Sequence, residues 1–146
     1  MQIEIKIDSF CAEPKIIVLT DKMTDEINTI VKKLSEDTPQ MIVGFRENTL
    51  RILEQTEIIR IYSGSGKVFA MTNQGEYLLR TRLYDLEERL DKGSFARISN
   101  SEIINLKKVK NFDLSFTGTI CVSFSDSTVT YVSRRYVAKI KQVLGI

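Results

Sequence analysis

From Gln2 to Asp8 the chain alternates without a break, Ile3, Ile5 and Ile7 against Glu4, Lys6 and Asp8, which is the period-two pattern of a half-buried strand. After Pro14 the run Ile16-Ile17-Val18-Leu19 predicts a second strand. The period then changes. Ile27, Ile30, Val31 and Leu34 fall at helical spacing, Asp25 and Glu26 stand where the helix dipole favours anions, and Pro39 stops the run. Residues 1–40 are therefore expected to form a small ββα segment, too small to be self-sufficient and suited to association, on the rest of the chain or on a second copy.

Beyond Met41 short strand patterns recur between turn residues: Met41-Phe45, Thr49-Glu54, Glu57-Tyr62, Lys67-Thr72 and Glu76-Arg80, punctuated by Glu47-Asn48, Gly64-Ser65-Gly66 and Asn73-Gln74-Gly75. An antiparallel meander is the simplest arrangement of such a series. Leu83, Leu86 and Leu90 share one face of a short helix. Further strands are expected at Phe95-Ile98, Val109-Ser115, Thr119-Phe124 and Thr128-Ser133, followed by a closing helix from Arg134 to Leu144 whose Val137, Ile140 and Leu144 lie together. The fold class read from this pattern is mainly β with short helices, in which residues 41–146 make one domain.

At 146 residues and 42% hydrophobic composition the chain can bury a core without disulfides or metal. Cys11 and Cys121 follow no paired spacing, so they read as free thiols of a reducing compartment. No apolar run approaches a membrane span, and the alternating N-terminus is unlike a signal peptide, so a cytoplasmic location is expected. The absence of histidine removes the commonest general base and metal ligand together. No enzyme, no metal site and no cofactor is expected.

Net charge hides an asymmetry. Residues 1–57 carry seven Lys/Arg against eleven Asp/Glu, and residues 58–146 carry fourteen against eight. A cationic surface in the second part suits a polyanion such as nucleic acid. Within it, Ser63-Gly64-Ser65-Gly66-Lys67 resembles a phosphate loop, yet Ile61 stands where the first glycine is required and Val68 where a hydroxyl is required. A hairpin turn accounts for the glycines, and its free N–H groups and lysine suit a phosphate backbone.

Ser133 reads as an N-cap, which puts Arg134 and Arg135 into a first turn where cations are disfavoured by ~0.3–1 kcal/mol each. Local rules broken in this way mark an anion site, unless both arginines reach back to Asp126 or Asp113. Lys107, Lys108 and Lys110 make a further basic cluster that a solvated face also explains, and Glu87-Glu88 beside Arg89 reads as a solubilising pair.

The run Phe95-Ala96-Arg97-Ile98-Ser99-Asn100-Ser101-Glu102-Ile103-Ile104-Asn105 closely resembles the F-x-R-x-H-x-S-x-(I/V)-(I/V)-N signature of the LytTR DNA-binding domain family. Upstream, Arg82-Leu83-Tyr84-Asp85-Leu86-Glu87 is similar to that family's short helix. Downstream, Thr130 to Tyr136 with Val137-Ala138-Lys139-Ile140 is similar to its last strand and helix. The resemblance covers about residues 41–146, and it departs from the signature at Ser99, where a histidine is frequent.

This resemblance implies an elongated, ten-stranded antiparallel β fold and a bacterial transcription regulator that inserts loops and helix ends into successive grooves of duplex DNA. It implies base contacts from the Gly66-Lys67 loop, Asn100 and Arg135, and backbone contacts from Ser101, Tyr131, Ser133, Arg134 and Lys139. At Gly66-Lys67 the family often carries histidine or arginine, so the backbone contact of this loop is the better supported one. No receiver domain fits in residues 1–40, so the chain resembles the stand-alone members, often governed by a small membrane protein encoded beside them. Two functions follow: a sequence-specific regulator binding double-stranded DNA, as a homodimer on a repeat, or a protein–protein adaptor for a membrane-bound partner.

Overall fold

The computed structural model describes residues 1–35 and 41–146. It divides into two compact units, Met1–Pro39 and Gln40–Ile146.

Among the described residues of the first unit, only the helix forms. α1 spans Asp25–Ser35 with Asp25 and Glu26 in its first turn and Lys32 and Lys33 in its last, an order that complements its dipole. The predicted strands at Gln2–Asp8 and Ile16–Leu19 are not formed; neither stretch carries a ladder. Ile3, Ile5 and Ile7 stand 85–98% exposed. A two-stranded ribbon has no second layer on which to bury such a face, and pairing alone does not stabilise it in water.

The second unit contains ten strands and two helices: β1 (Ile42–Arg46), β2 (Thr49–Leu53), β3 (Ile58–Gly64), β4 (Lys67–Thr72), β5 (Gly75–Leu79), α2 (Leu83–Arg89), β6 (Phe95–Ser99), β7 (Glu102–Asn105), β8 (Val109–Asp113), β9 (Ile120–Phe124), β10 (Val129–Val132) and α3 (Arg134–Leu144). Seven strands form one sheet in the order β2-β1-β5-β4-β3-β7-β6, and three form another in the order β10-β9-β8. Every pairing is antiparallel.

Two cores flank the larger sheet. Ile61, Ala70, Tyr77 and Leu79 pack with Leu83, Leu86 and Leu90 on the α2 side. Ile59, Ile98 and Ile104 pack with Val122, Phe124, Val132 and Ile140 from the smaller sheet and α3. Each fully buried isoleucine contributes about 1.5–3 kcal/mol relative to exposure. Gly44 serves the first core by close approach, since a Cβ there would lie 2.8 Å from that of Tyr77.

β7 has no counterpart among the strands expected from pattern. Ile103 faces one core and Ile104 the other, so the strand is buried on both sides and shows no alternation. Asn105 ends it, fully buried, donating from Nδ2 to the Ile58 carbonyl at 2.8 Å and accepting at Oδ1 from the Lys107 amide at 3.0 Å.

Candidate nucleic-acid interface

Three structural features meet at one end of the second unit. The β3–β4 hairpin turns through Ser65 and Gly66, whose φ of 53° and 75° lie in the left-handed region that glycine adopts at no cost. Nothing lies within 4 Å of the place where a Gly66 Cβ would be, and Lys67 is exposed without an ion pair among the described residues. Next to this hairpin is the β6–β7 turn carrying Asn100 and Ser101; the Ser63 amide donates to the Ser101 carbonyl at 2.8 Å. The third feature is the start of α3, tied to the same turn by the Ser133 amide donating to the Ile98 carbonyl at 2.9 Å and by the Tyr136 hydroxyl donating to Asn100 Oδ1 at 3.3 Å.

The turn itself is held by Arg97. Its Nε donates to the Ser99 carbonyl at 3.0 Å and its Nη2 to the Asn100 carbonyl at 2.6 Å, while Nη1 bonds Glu87 Oε2 on α2 at 2.9 Å. Glu87 also lies 3.8 Å from Lys139 Nζ on α3. Glu87 is thus a half-buried anchor between two cations and not the solubilising residue its exposed neighbour suggests. Glu88 fits that reading better, lying exposed 3.9 Å from Lys92.

Ser133 occupies the N-cap position of α3 with extended backbone, φ −68° and ψ 153°, but its side chain caps nothing. The Tyr136 amide instead donates to the Ser133 carbonyl at 2.9 Å, so the Ser133 hydroxyl and the Arg134 and Arg135 amides are the groups that the start of α3 can offer to an anion. Arg134 and Arg135 are exposed and form no ion pair among the described residues. The carboxylates that could have claimed them are occupied in their own turns: Asp113 accepts from the Ser115 amide and hydroxyl at 2.9 and 2.6 Å, and Asp126 accepts from the Thr128 amide at 3.0 Å. These bonds also hold the Asp113 carboxyl below its ordinary value.

The remaining positions spread outward from this end. Arg134 leans over Gly118 and, with Lys141, borders a shallow groove of about 520 Å³ between the β8–β9 loop and α3. Tyr131, exposed on β10, meets the Phe116 ring edge-on at 6.0 Å. Lys139, one turn along α3, is tethered to Glu87. Lys107, Lys108 and Lys110 are not brought here. They lie where β8 opposite Phe124 begins, whereas α3 starts beside the Asp113 end.

Two basic residues escaped the reading of the sequence. Arg80 and Arg82 border a second groove of about 380 Å³ with Gly66 and Lys67, because Val68 and Leu79 are paired and β5 ends beside the hairpin. Arg80 is held by stacking, its Cζ 4.1 Å from the Phe45 ring centroid. The signal available was the pair of arginines around Thr81, between a strand and a helix.

The sequence profile of the LytTr DNA-binding domain matches residues 48–145. The chain belongs to this family. Relatives from Staphylococcus aureus strains NCTC 8325 / PS 47 and MRSA252, described as uncharacterized HTH-type transcriptional regulators, are 31% and 30% identical over 147 residues, spanning 100% of this chain and 99% of theirs. A solved LytTr DNA-binding domain from Bacillus cereus matches with a TM-score of 0.70 at 18% identity, over 73% of this chain and 97% of that one, a likeness of fold. The LytTr domain described here has no helix-turn-helix among its described residues, since five strands separate α2 from α3. As a DNA-binding regulator it must use other elements.

Proposed function

We propose that this LytTr protein reads sequence in duplex DNA with the β3–β4 hairpin, the Asn100 turn and the start of α3, placed into successive grooves. The observation that carries the reading is the set of hydrogen bonds joining the three: Ser63 to Ser101, Ser133 to Ile98 and Tyr136 to Asn100. Loops alone are poor readers because ordering them on DNA costs entropy, and these bonds settle that cost during folding.

Within this set, Arg135 has the planar fork that matches a guanine edge, and Asn100 has a side-chain amide whose Nδ2 remains available after Oδ1 accepts from Tyr136. The Gly66-Lys67 loop enters a groove with its backbone contact the better supported, and Ser101, Tyr131, Ser133, Arg134 and Lys139 contact the sugar–phosphate backbone and set the register. Arg80 and Arg82 extend the same cationic rim. The protein acts in the cytoplasm as a homodimer on a repeat, so that two copies of this modest surface together span a full site.

Gel-shift titration against the protein's own promoter at two salt concentrations tests the reading. With about four to six phosphate contacts, log affinity falls against log salt with a slope of roughly −4 to −5. A slope near zero removes the polyanion reading and leaves the adaptor.

A further inference from the structure

Residues 2–8 combine strong strand character with complete lack of pairing. Ile3, Ile5 and Ile7 are exposed on alternate positions, no ladder joins the segment to any described residue, and neither Glu4 nor Lys6 has an ion pair among the described residues. An exposed strand with one apolar face is a template for another strand. The charges between the isoleucines determine which strand fits.

Laid antiparallel on a second copy with Ile5 on the two-fold axis, Ile3 opposes the partner's Ile7 and Glu4 opposes the partner's Lys6. By symmetry both contacts occur twice. One face then carries six isoleucines and the other carries two opposed ion pairs. Sliding by two residues in one direction sets Glu4 against the partner's Glu4, and in the other direction sets Lys6 against the partner's Lys6. A slip of one places charges opposite isoleucines, and a parallel in-register pairing opposes like charges throughout. Within residues 1–40, Ile16-Ile17-Val18-Leu19 is the other strand-like run, and none of its four residues offers Glu4 or Lys6 a charge.

We propose that Gln2–Asp8 is a self-complementary dimerisation strand that pairs antiparallel with the same segment of a second copy, centred on Ile5. The six-isoleucine face is covered by α1, whose Ile27, Ile30, Val31 and Leu34 make an apolar stripe of matching kind, with Val31 and Leu34 42% and 46% exposed. Two strands and two helices give the second layer that one copy lacks. The inference deepens the homodimer of the preceding reading and depends on that part of it alone.

Sedimentation of the full chain without DNA tests the pairing. Glu4→Lys and Lys6→Glu, each alone, oppose like charges at two sites and weaken self-association about tenfold or more, while the double variant restores it. In a Cys11→Ser background, mild oxidation links Ile5→Cys protomers readily and Ile3→Cys protomers poorly, because Ile3 lies about 13 Å along the strand from the partner's Ile3. A wild-type monomer at high concentration, a double variant no better than the singles, or equal crosslinking at the two positions overturns the proposal. Gel shifts on a single half-site are run in parallel, so that loss of dimer with intact DNA binding is told apart from failure of the DNA reading.

Discussion

Arg97 Nη1 bonds Glu87 Oε2 at 2.9 Å while the other guanidinium nitrogens hold the Ser99 and Asn100 carbonyls. One side chain thereby couples α2 to the turn that presents Asn100. Because the Arg97 side chain is only 15% exposed, the arrangement depends on its fork and not on charge alone.

Arg97→Lys keeps the charge and loses the fork. It is expected to destabilise the protein by about 1–3 kcal/mol in urea unfolding, since the Ser99 and Asn100 carbonyls and the Glu87 carboxylate lose charge-assisted donors. DNA affinity falls in addition, even at temperatures where the variant remains folded, because Asn100 is no longer held in place.

Arg135→Ala is expected to cost ~1–3 kcal/mol on the cognate site and to relax specificity at one base pair, with random DNA little affected. Lys139→Ala weakens cognate and random DNA about equally and lowers the salt slope by ~1. Equal losses on both DNAs for Arg135→Ala would make it a backbone clamp and move base reading to Asn100 and the Gly66-Lys67 loop. Circular dichroism confirms that each variant is folded before affinities are compared.

A fragment of residues 41–146 is expected to fold alone, because both cores lie within it, and to associate more weakly than the full chain. Denaturant unfolding and sedimentation measure the two properties separately. An unfolded fragment would mean that the first forty residues complete the core.

Asp91 adds a pH dependence. The Ser94 hydroxyl at 2.6 Å, and then the Gly93 amide at 3.3 Å, hold its carboxyl below the ordinary value of 3.8. A group lowered in the folded state stabilises above its unfolded pKa and loses that contribution as pH falls through the folded value. The difference in Tm between wild type and Asp91→Asn is therefore expected at neutral pH and disappears in the acid range below 3.8.

Periodicity together with turn residues was enough to place nine of the ten strands and all three helices found among the described residues, within a few residues. The motif from Phe95 to Asn105 was legible as a family signature, and the rule-breaking arginines after Ser133 singled out the start of α3 as a candidate site. Ile103-Ile104 hid a strand because burial on both faces erases alternation. The strands expected at 2–8 and 16–19 lack a ladder because pairing needs a second layer, which a sequence pattern can suggest but cannot supply. Only the tertiary structure turned Glu87 from a surface charge into the partner of Arg97 and Lys139, and brought Arg80 and Arg82 beside Lys67. Hydrogen bonds and ion pairs between elements depend on how those elements cross, and the spacing of residues along one element carries no record of that crossing.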